Sequence, residues 1–154
     1  MSLAFLASTR SPDSQTKHGC VIVDNNHRIL SLGYNGFLAC INDEDMANTR
    51  PLKYGLVAHA ERNALSNCML PPTGAIAYIT GQSCIECIKA MYQAGIKEFV
   101  MADSHGSFAI TEEEEAFFEY LVHFGHIKVR RINTNLDHVT QLLKDKGVID
   151  GNPK

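Results

Sequence analysis

The apolar positions of this chain fall into short blocks separated by turn chemistry. The stretch up to Arg10 reads as a short helix, ended by Ser11-Pro12-Asp13-Ser14. Two β-rich runs follow, Gly19 to Asp24 and Ile29 to Gly33, and the polar Asn25-Asn26-His27-Arg28 between them predicts a hairpin. From Tyr34 to Leu56 the periodicity is lost and Gly36, Pro51 and Gly55 punctuate the chain, which predicts a long loop of the kind retained for function. Good helix formers from Ala58 to Met69 predict a helix, stopped by Pro71-Pro72-Thr73-Gly74 ahead of a strand from Ala75 to Thr80. The scheme then repeats, with a helix from Cys84 to Ala94, a stop at Gly95 and a strand from Glu98 to Met101, so the pair forms a βαβ unit.

In the last third, Thr111 followed three residues later by Glu114 is a capping-box signature, and Phe117, Phe118, Leu121 and Val122 give the helix behind it an apolar face. The acidic run from Glu112 to Glu115 is accounted for by the same helix, because carboxylates in a first turn oppose the positive end of its dipole. Ile127-Lys128-Val129 reads as a last strand and Leu136 to Asp145 as a last helix, with Gly147 and a polar tail over 150–154 beyond it. Strands alternating with helices predict an α/β fold, a mixed or largely parallel sheet with helices on both faces. Residues 1–154 are the size of one domain, with 45% hydrophobic residues to fill one core.

Composition narrows the function classes. The formal net charge is −3 and the Lys and Arg residues are scattered, which argues against a polymeric nucleic-acid partner, since such binding depends on clustered cations facing phosphates. A small-molecule substrate fits better. There is no apolar run long enough to span a membrane, and Met1-Ser2-Leu3-Ala4-Phe5-Leu6 lacks the basic segment of a secretory signal, so a cytosolic location is expected. Five unevenly spaced cysteines suit a reducing compartment and metal or catalytic use, with Cys20, Cys40 and Cys68 as packed free thiols.

The chemistry concentrates in His59-Ala60-Glu61 at one helix start and Cys84-Ile85-Glu86-Cys87 at the next. Cysteines three apart lie on one side of a helical turn, and the helix N-terminus favours their thiolates. His59 completes three ligands, the number that marks a catalytic zinc site with a fourth position left for water. Within a regular helix His59 and Glu61 would diverge by about 200°. At a first turn both side chains lean towards the N-terminus, so the imidazole can hold the metal while the Glu61 carboxylate shuttles protons. Taken singly, His59 fits a capping or packing role, and Cys84 with Cys87 fits a redox pair or half of a structural zinc site.

Together these residues resemble the cytidine and deoxycytidylate deaminase superfamily, and more closely its deoxycytidylate branch. The resemblance extends from about Arg10 to Val129 through Thr16-Lys17-His18-Gly19-Cys20-Val21-Ile22-Val23, Gly33-Tyr34-Asn35-Gly36-Phe37, His59-Ala60-Glu61-Arg62-Asn63-Ala64 and Gln93-Ala94-Gly95-Ile96-Lys97. It implies a three-layer α/β/α cytidine-deaminase-like fold on a mixed five-stranded sheet, and zinc-dependent hydrolysis of dCMP to dUMP and ammonia. It also implies that Asn35 contacts the sugar, that the Ala60 amide contacts the pyrimidine carbonyl, and that the Ser83 carbonyl receives the leaving amine. A regulatory deoxynucleoside triphosphate with Mg²⁺ near Gly36 and Phe37, and a homo-oligomer from dimer to hexamer, follow from the same likeness. Lys17 is the candidate for the substrate phosphate, with an ordinary surface lysine as the alternative.

Two positions depart from the family pattern. Ser83 stands where the signature has proline, which removes a restraint on the loop but no ligand. The segment Asp103-Ser104-His105-Gly106-Ser107-Phe108 has no arginine and no aromatic directly after its strand, so Phe108 is the candidate wall of the substrate pocket and His105 a polar contact, or Phe108 is a packing cap. A rebuilt phosphate pocket would admit dCTP or a 5-substituted dCMP. Further alternatives are a guanine, tRNA-adenosine or riboflavin-pathway deaminase, and a non-catalytic zinc or nucleotide-binding module with Cys68 as a fourth ligand.

Overall fold

A computed structural model describes residues 1–38, 52–103 and 111–149, apart from the side chains of Leu52 and Tyr54. Helix α1 (Ser2–Ser8) precedes strands β1 (Gly19–Val23) and β2 (Ile29–Tyr34), which form the expected hairpin. Its turn is held by the Asp24 carboxylate, which accepts from the amides of Asn26 and Arg28, both at 2.9 Å. His27 there takes the left-handed conformation, φ 61°. The remaining elements are β3 (Gly36–Phe37), α2 (Leu52–Leu56), β4 (Val57–Ala58), α3 (Ala60–Ser66), β5 (Ile76–Ile79), α4 (Ile85–Gln93), β6 (Glu98–Ala102), α5 (Glu112–His123), β7 (Lys128–Ile132) and α6 (Leu136–Asp145).

The main sheet runs β2-β1-β5-β6-β7. Strand β1 is antiparallel to both neighbours, whereas β5, β6 and β7 are mutually parallel, so the sheet is mixed. The period-two alternation of side chains sorts the core into two layers. Cys20, Ile22, Ala77, Ile79, Phe99 and Met101 point to one face, where they pack with Ala60 and Ala64 of α3, Ile88 and Met91 of α4, and Phe117, Phe118 and Leu121 of α5. Val21, Val23, Ile76, Val100 and Ala102 point to the other, against Ala4 and Phe5 of α1 and Val139 of α6. The result is the three-layer arrangement. Among the described residues no helix is long and apolar enough to cross a membrane.

Several elements differ from the sequence expectation. The stretch from Tyr34 to Leu56 is not loop throughout: β3 pairs with β4, Gly36 opposite Ala58 and Phe37 opposite Val57, and α2 forms directly before β4. Such two-residue strands are fixed by their distant partner and leave no period to read. Helix α3 is shorter than the 58–69 expected, because Asn67 caps it and turns its side-chain amide to the Leu32 carbonyl at 2.9 Å, leaving Met69 almost wholly exposed. Strand β7 runs past Val129 through Arg130 and Arg131. Its backbone stays in register with β6 while the arginines, at an open sheet edge, pair with Glu98 (2.8 Å) and Asp103 (3.6 Å).

Helix α5 has the expected capping box, Thr111 Oγ1 accepting from the Glu114 amide at 3.2 Å and Glu114 Oε2 from the Thr111 amide at 3.1 Å. Its apolar face is narrower than expected, since Phe117, Phe118 and Leu121 are only half-buried and Val122 is exposed. The helix covers the edge of the sheet, where there is less surface to cover. Phe108, His105 and the tail over 150–154 lie outside the described residues.

Candidate metal centre and cavity

The site forms where the starts of α3 and α4 meet on one face of the sheet. Pairing of β3 with β4 fixes the chain entering α3, and β5 delivers the chain entering α4. His59 is the N-cap of α3, with φ −69° and ψ 153°, and Cys84 is the N-cap of α4, with φ −76° and ψ 159°. Neither side chain caps its helix. Both are in extended backbone one residue before the helix proper, which lets His59 and Glu61 escape the divergence a continuous helix would impose.

His59 Nδ1 lies 3.6 Å from Cys84 Sγ and 3.4 Å from Cys87 Sγ. Tetrahedral zinc with Zn–N near 2.0–2.1 Å and Zn–S near 2.3 Å requires N···S separations of about 3.5 Å. One nitrogen and two sulfurs at these distances fit zinc in both chemistry and size. Among the described residues no fourth His, Cys, Asp or Glu joins the group. Cys68, the alternative fourth ligand, lies instead 3.1 Å from Ser31 Oγ and packs against the main core.

The three groups also share charge as a metal site does. Cys84 is pulled down to about 4, first by the hydrogen bond from Cys87 and then by that from His59. Cys87, as the donor to that thiolate, is raised, and burial adds to the rise. His59 is raised chiefly by its hydrogen bond to Cys84. Protons therefore hold together a cluster that a cation would hold by displacing them.

Beside the cluster is a cavity of about 110 Å³ lined by His59, Ala60, Glu61 and Cys84 together with Asn35, His18, Gln82 and Lys53. Glu61 is buried, and its Oε1 accepts a 2.5 Å hydrogen bond from the Ser83 hydroxyl. Ala60, fully buried at the first helical position, carries an amide with no acceptor inside the helix. The Asn35 side chain is already engaged, donating to the Thr16 carbonyl at 2.8 Å and accepting from the His18 amide at 2.7 Å. Among the described residues these two bonds leave one N–H and one lone pair for other use. The Ser83 carbonyl accepts from its neighbour Gln82 at 3.0 Å.

Lys17 does not line this cavity. It is exposed, donates to the Ser11 carbonyl, and borders a separate groove with Ser14 and Gln15. Gly36 and Phe37 likewise serve the pairing with β4 and are absent from the described cavity lining. Among the described residues the lysine in the cavity wall is Lys53, buried on α2, with its ammonium 2.6 Å from Asp13. Sequence reasoning misses this pair, since its members are 40 residues apart and no local spacing links them.

Burial alone would raise the Asp13 carboxyl, but the Lys53 ammonium and the amides of Thr16 and Gln15 hold it below the ordinary aspartate value. Its stabilising effect is complete above the unfolded pKa near ~3.9 and fades as the pH falls through the lowered folded value. Breaking a buried pair by removing one partner costs about 3–5 kcal/mol. Lys53→Met should fall near the lower end, because Asp13 keeps two amide donors, and Asp13→Asn near the upper end, because the buried Lys53 ammonium then faces an amide oxygen in place of its counter-charge. Urea unfolding of both variants measures this, and losses below about 1 kcal/mol for both would mean the pair is solvated.

Residues 1–103 match the family described as the cytidine and deoxycytidylate deaminase zinc-binding region. The chain belongs to this deaminase family. Deoxycytidylate deaminases of Pongo abelii and Homo sapiens are each 35% identical to it over 113 residues, covering 68% of this chain. The chain spans 64% of the length of those curated relatives. The dCMP deaminase of cyanophage S-TIM5, solved in complex with dCMP and dUMP, superposes with a TM-score of 0.62 at 25% identity, covering 84% of this chain and 91% of the phage protein. The deaminase fold reading from sequence therefore holds, mixed five-stranded sheet included.

Proposed function

We propose that the protein hydrolyses dCMP to dUMP and ammonia, with zinc held by His59, Cys84 and Cys87. The observation that carries this reading is a nitrogen–sulfur–sulfur triangle of zinc dimensions opening on a cavity that contains a buried carboxylate, Glu61. The choice of dCMP is supported by relatives named for that substrate and by the phage enzyme solved with it and its product. Zinc bound there supplies Lewis-acid activation of a water molecule near neutral pH.

The remaining steps belong to the chain. Glu61 accepts one proton of the attacking water and passes it to N3 of the pyrimidine as the C4–O bond forms. It then takes the remaining proton of the added C4 hydroxyl and delivers it to the amine, so that the C4–N bond breaks, the C4 carbonyl forms and ammonia leaves. The Ala60 amide at the start of α3, which has no acceptor within its helix, orients the ring through the carbonyl oxygen of the pyrimidine, and the Ser83 carbonyl faces the leaving group. Asn35, fixed by Thr16 and His18, offers its spare N–H and lone pair to the sugar. Ile79 and Val57 supply apolar wall to the cavity. The net charge of −3 favours a free nucleotide over an RNA substrate.

Incubating the zinc-loaded protein with dCMP, dCTP, cytidine, deoxycytidine, guanine and an adenosine-containing RNA stem-loop ranks the alternatives by ammonia release. dCMP is expected to give the highest kcat/KM, with dUMP as product. Ammonia from guanine or from the RNA alone would discard the reading.

A further inference from the structure

The signature of this family places proline directly before the first cysteine, and this chain has Ser83 there. A proline could neither donate nor accept through its side chain. Ser83 is 1% exposed, and its hydroxyl proton is directed to Glu61 Oε1 at 2.5 Å, within the range of a charge-assisted O–H···O⁻ bond. The serine loop has its own support, since Gln82 Nε2 donates to the Ser83 carbonyl and Arg131 of β7 donates to Gln82 Oε1 at 2.6 Å. A continuous path of hydrogen bonds therefore runs from the edge strand through Gln82 and Ser83 to the Glu61 carboxylate.

The geometry points to Ser83 as a positioning residue for Glu61: its hydroxyl fixes the carboxylate by engaging Oε1, leaving Oε2 as the oxygen that exchanges protons with water and substrate. The family's proline stiffens the loop ahead of the cysteines through its fixed φ. In this chain the Gln82 and Arg131 contacts take over that restraint, and the side chain gained at position 83 acts on the proton carrier. Glutamate has several rotatable bonds, and only some of its rotamers place an oxygen at the reacting atoms. A restraint on it therefore matters most once the proton is in motion. This assignment rests on the proposed deaminase activity.

Four variants test it in the zinc-loaded protein: Ser83→Ala, Ser83→Thr, Glu61→Ala and the double variant Glu61→Ala/Ser83→Ala. Loss of one hydrogen bond to a charged group corresponds to about a 10- to 100-fold fall in kcat. Ser83→Ala is expected to show that fall, with KM for dCMP and zinc content close to the parent's, and Ser83→Thr to regain most of it. The binding readout uses tetrahydrodeoxyuridine monophosphate, whose tetrahedral 4-hydroxyl mimics the hydrated ring. Ser83→Ala should weaken this analogue by a similar factor and leave dUMP binding unchanged, and in the Glu61→Ala background the same change should have no further effect.

An unchanged kcat in Ser83→Ala, or an equal loss of analogue affinity with and without Glu61, overturns the assignment. The second criterion decides even where Ser83→Thr does not fold. A parent protein that leaves dCMP intact defeats the underlying reading as well, a result distinct from an active parent with an equally active Ser83→Ala.

Discussion

Glu61→Gln is expected to lower kcat for dCMP by about 10²- to 10⁴-fold, the range of a lost proton shuttle, with zinc content and melting temperature close to the parent's. Glutamine has nearly the same shape, and its amide oxygen can still accept the Ser83 hydroxyl, so the change removes the charge and the transferable proton without opening a hole. Glu61→Ala would reach the same end less cleanly, because it also leaves the buried Ser83 hydroxyl without its acceptor. Since the metal cluster consists of His59, Cys84 and Cys87, neither substitution removes a ligand. Ammonia release under single-turnover conditions, read with elemental analysis on the same sample, tests this. A Glu61→Gln protein retaining more than about a tenth of parental kcat would mean that another group carries the proton.

How far the sequence anticipates this structure depends on whether a feature is local. Helix starts, the β1–β2 hairpin and the α5 capping box are each written in a few adjacent residues, and α6 begins and ends at the residues its pattern marks, Leu136 and Asp145. The His59, Cys84 and Cys87 grouping spans two helices and was still legible, because each half opens a helix that follows an extended segment, and parallel packing on one sheet face brings such openings together. The pairs that no local pattern marks join parts of the chain with no common period: Lys53 with Asp13, β3 with β4, and Arg131 with Gln82. Ser83 falls between these cases. Its departure from the family's proline is visible in the sequence, but the direction of its hydroxyl depends on α3 lying alongside α4.

Gly33→Ala is expected to destabilise the protein by about 3 kcal/mol or more and to strip zinc from the folded remainder. A Cβ at Gly33 would stand 2.3 Å from the Ala64 nitrogen, 2.6 Å from the Ala60 oxygen and 2.8 Å from the Asn63 carbonyl carbon. All three are backbone atoms of α3, so no side-chain rotation relieves the clash, and the helix must lift away from β2. It is bound there at close range by Ser31 Oγ donating to the Ala64 carbonyl (2.7 Å) and by the Asn63 side-chain Nδ2 donating to the Tyr34 carbonyl (2.8 Å), bonds that lifting would stretch. Because His59 is the N-cap of α3, the imidazole moves with the helix and leaves the sulfur pair. Among the described residues nothing lies within 4 Å of where a Cβ on Gly55, within α2, would go, so Gly55→Ala serves as the control and is expected to be neutral or to stabilise by up to about 1 kcal/mol through helix propensity. Urea unfolding and zinc stoichiometry of the two variants provide the comparison. A Gly33→Ala protein with the parent's midpoint and a full complement of zinc would show that α3 does not approach β2 this closely in solution, and with it would go the close seating that carries His59 to the thiolates.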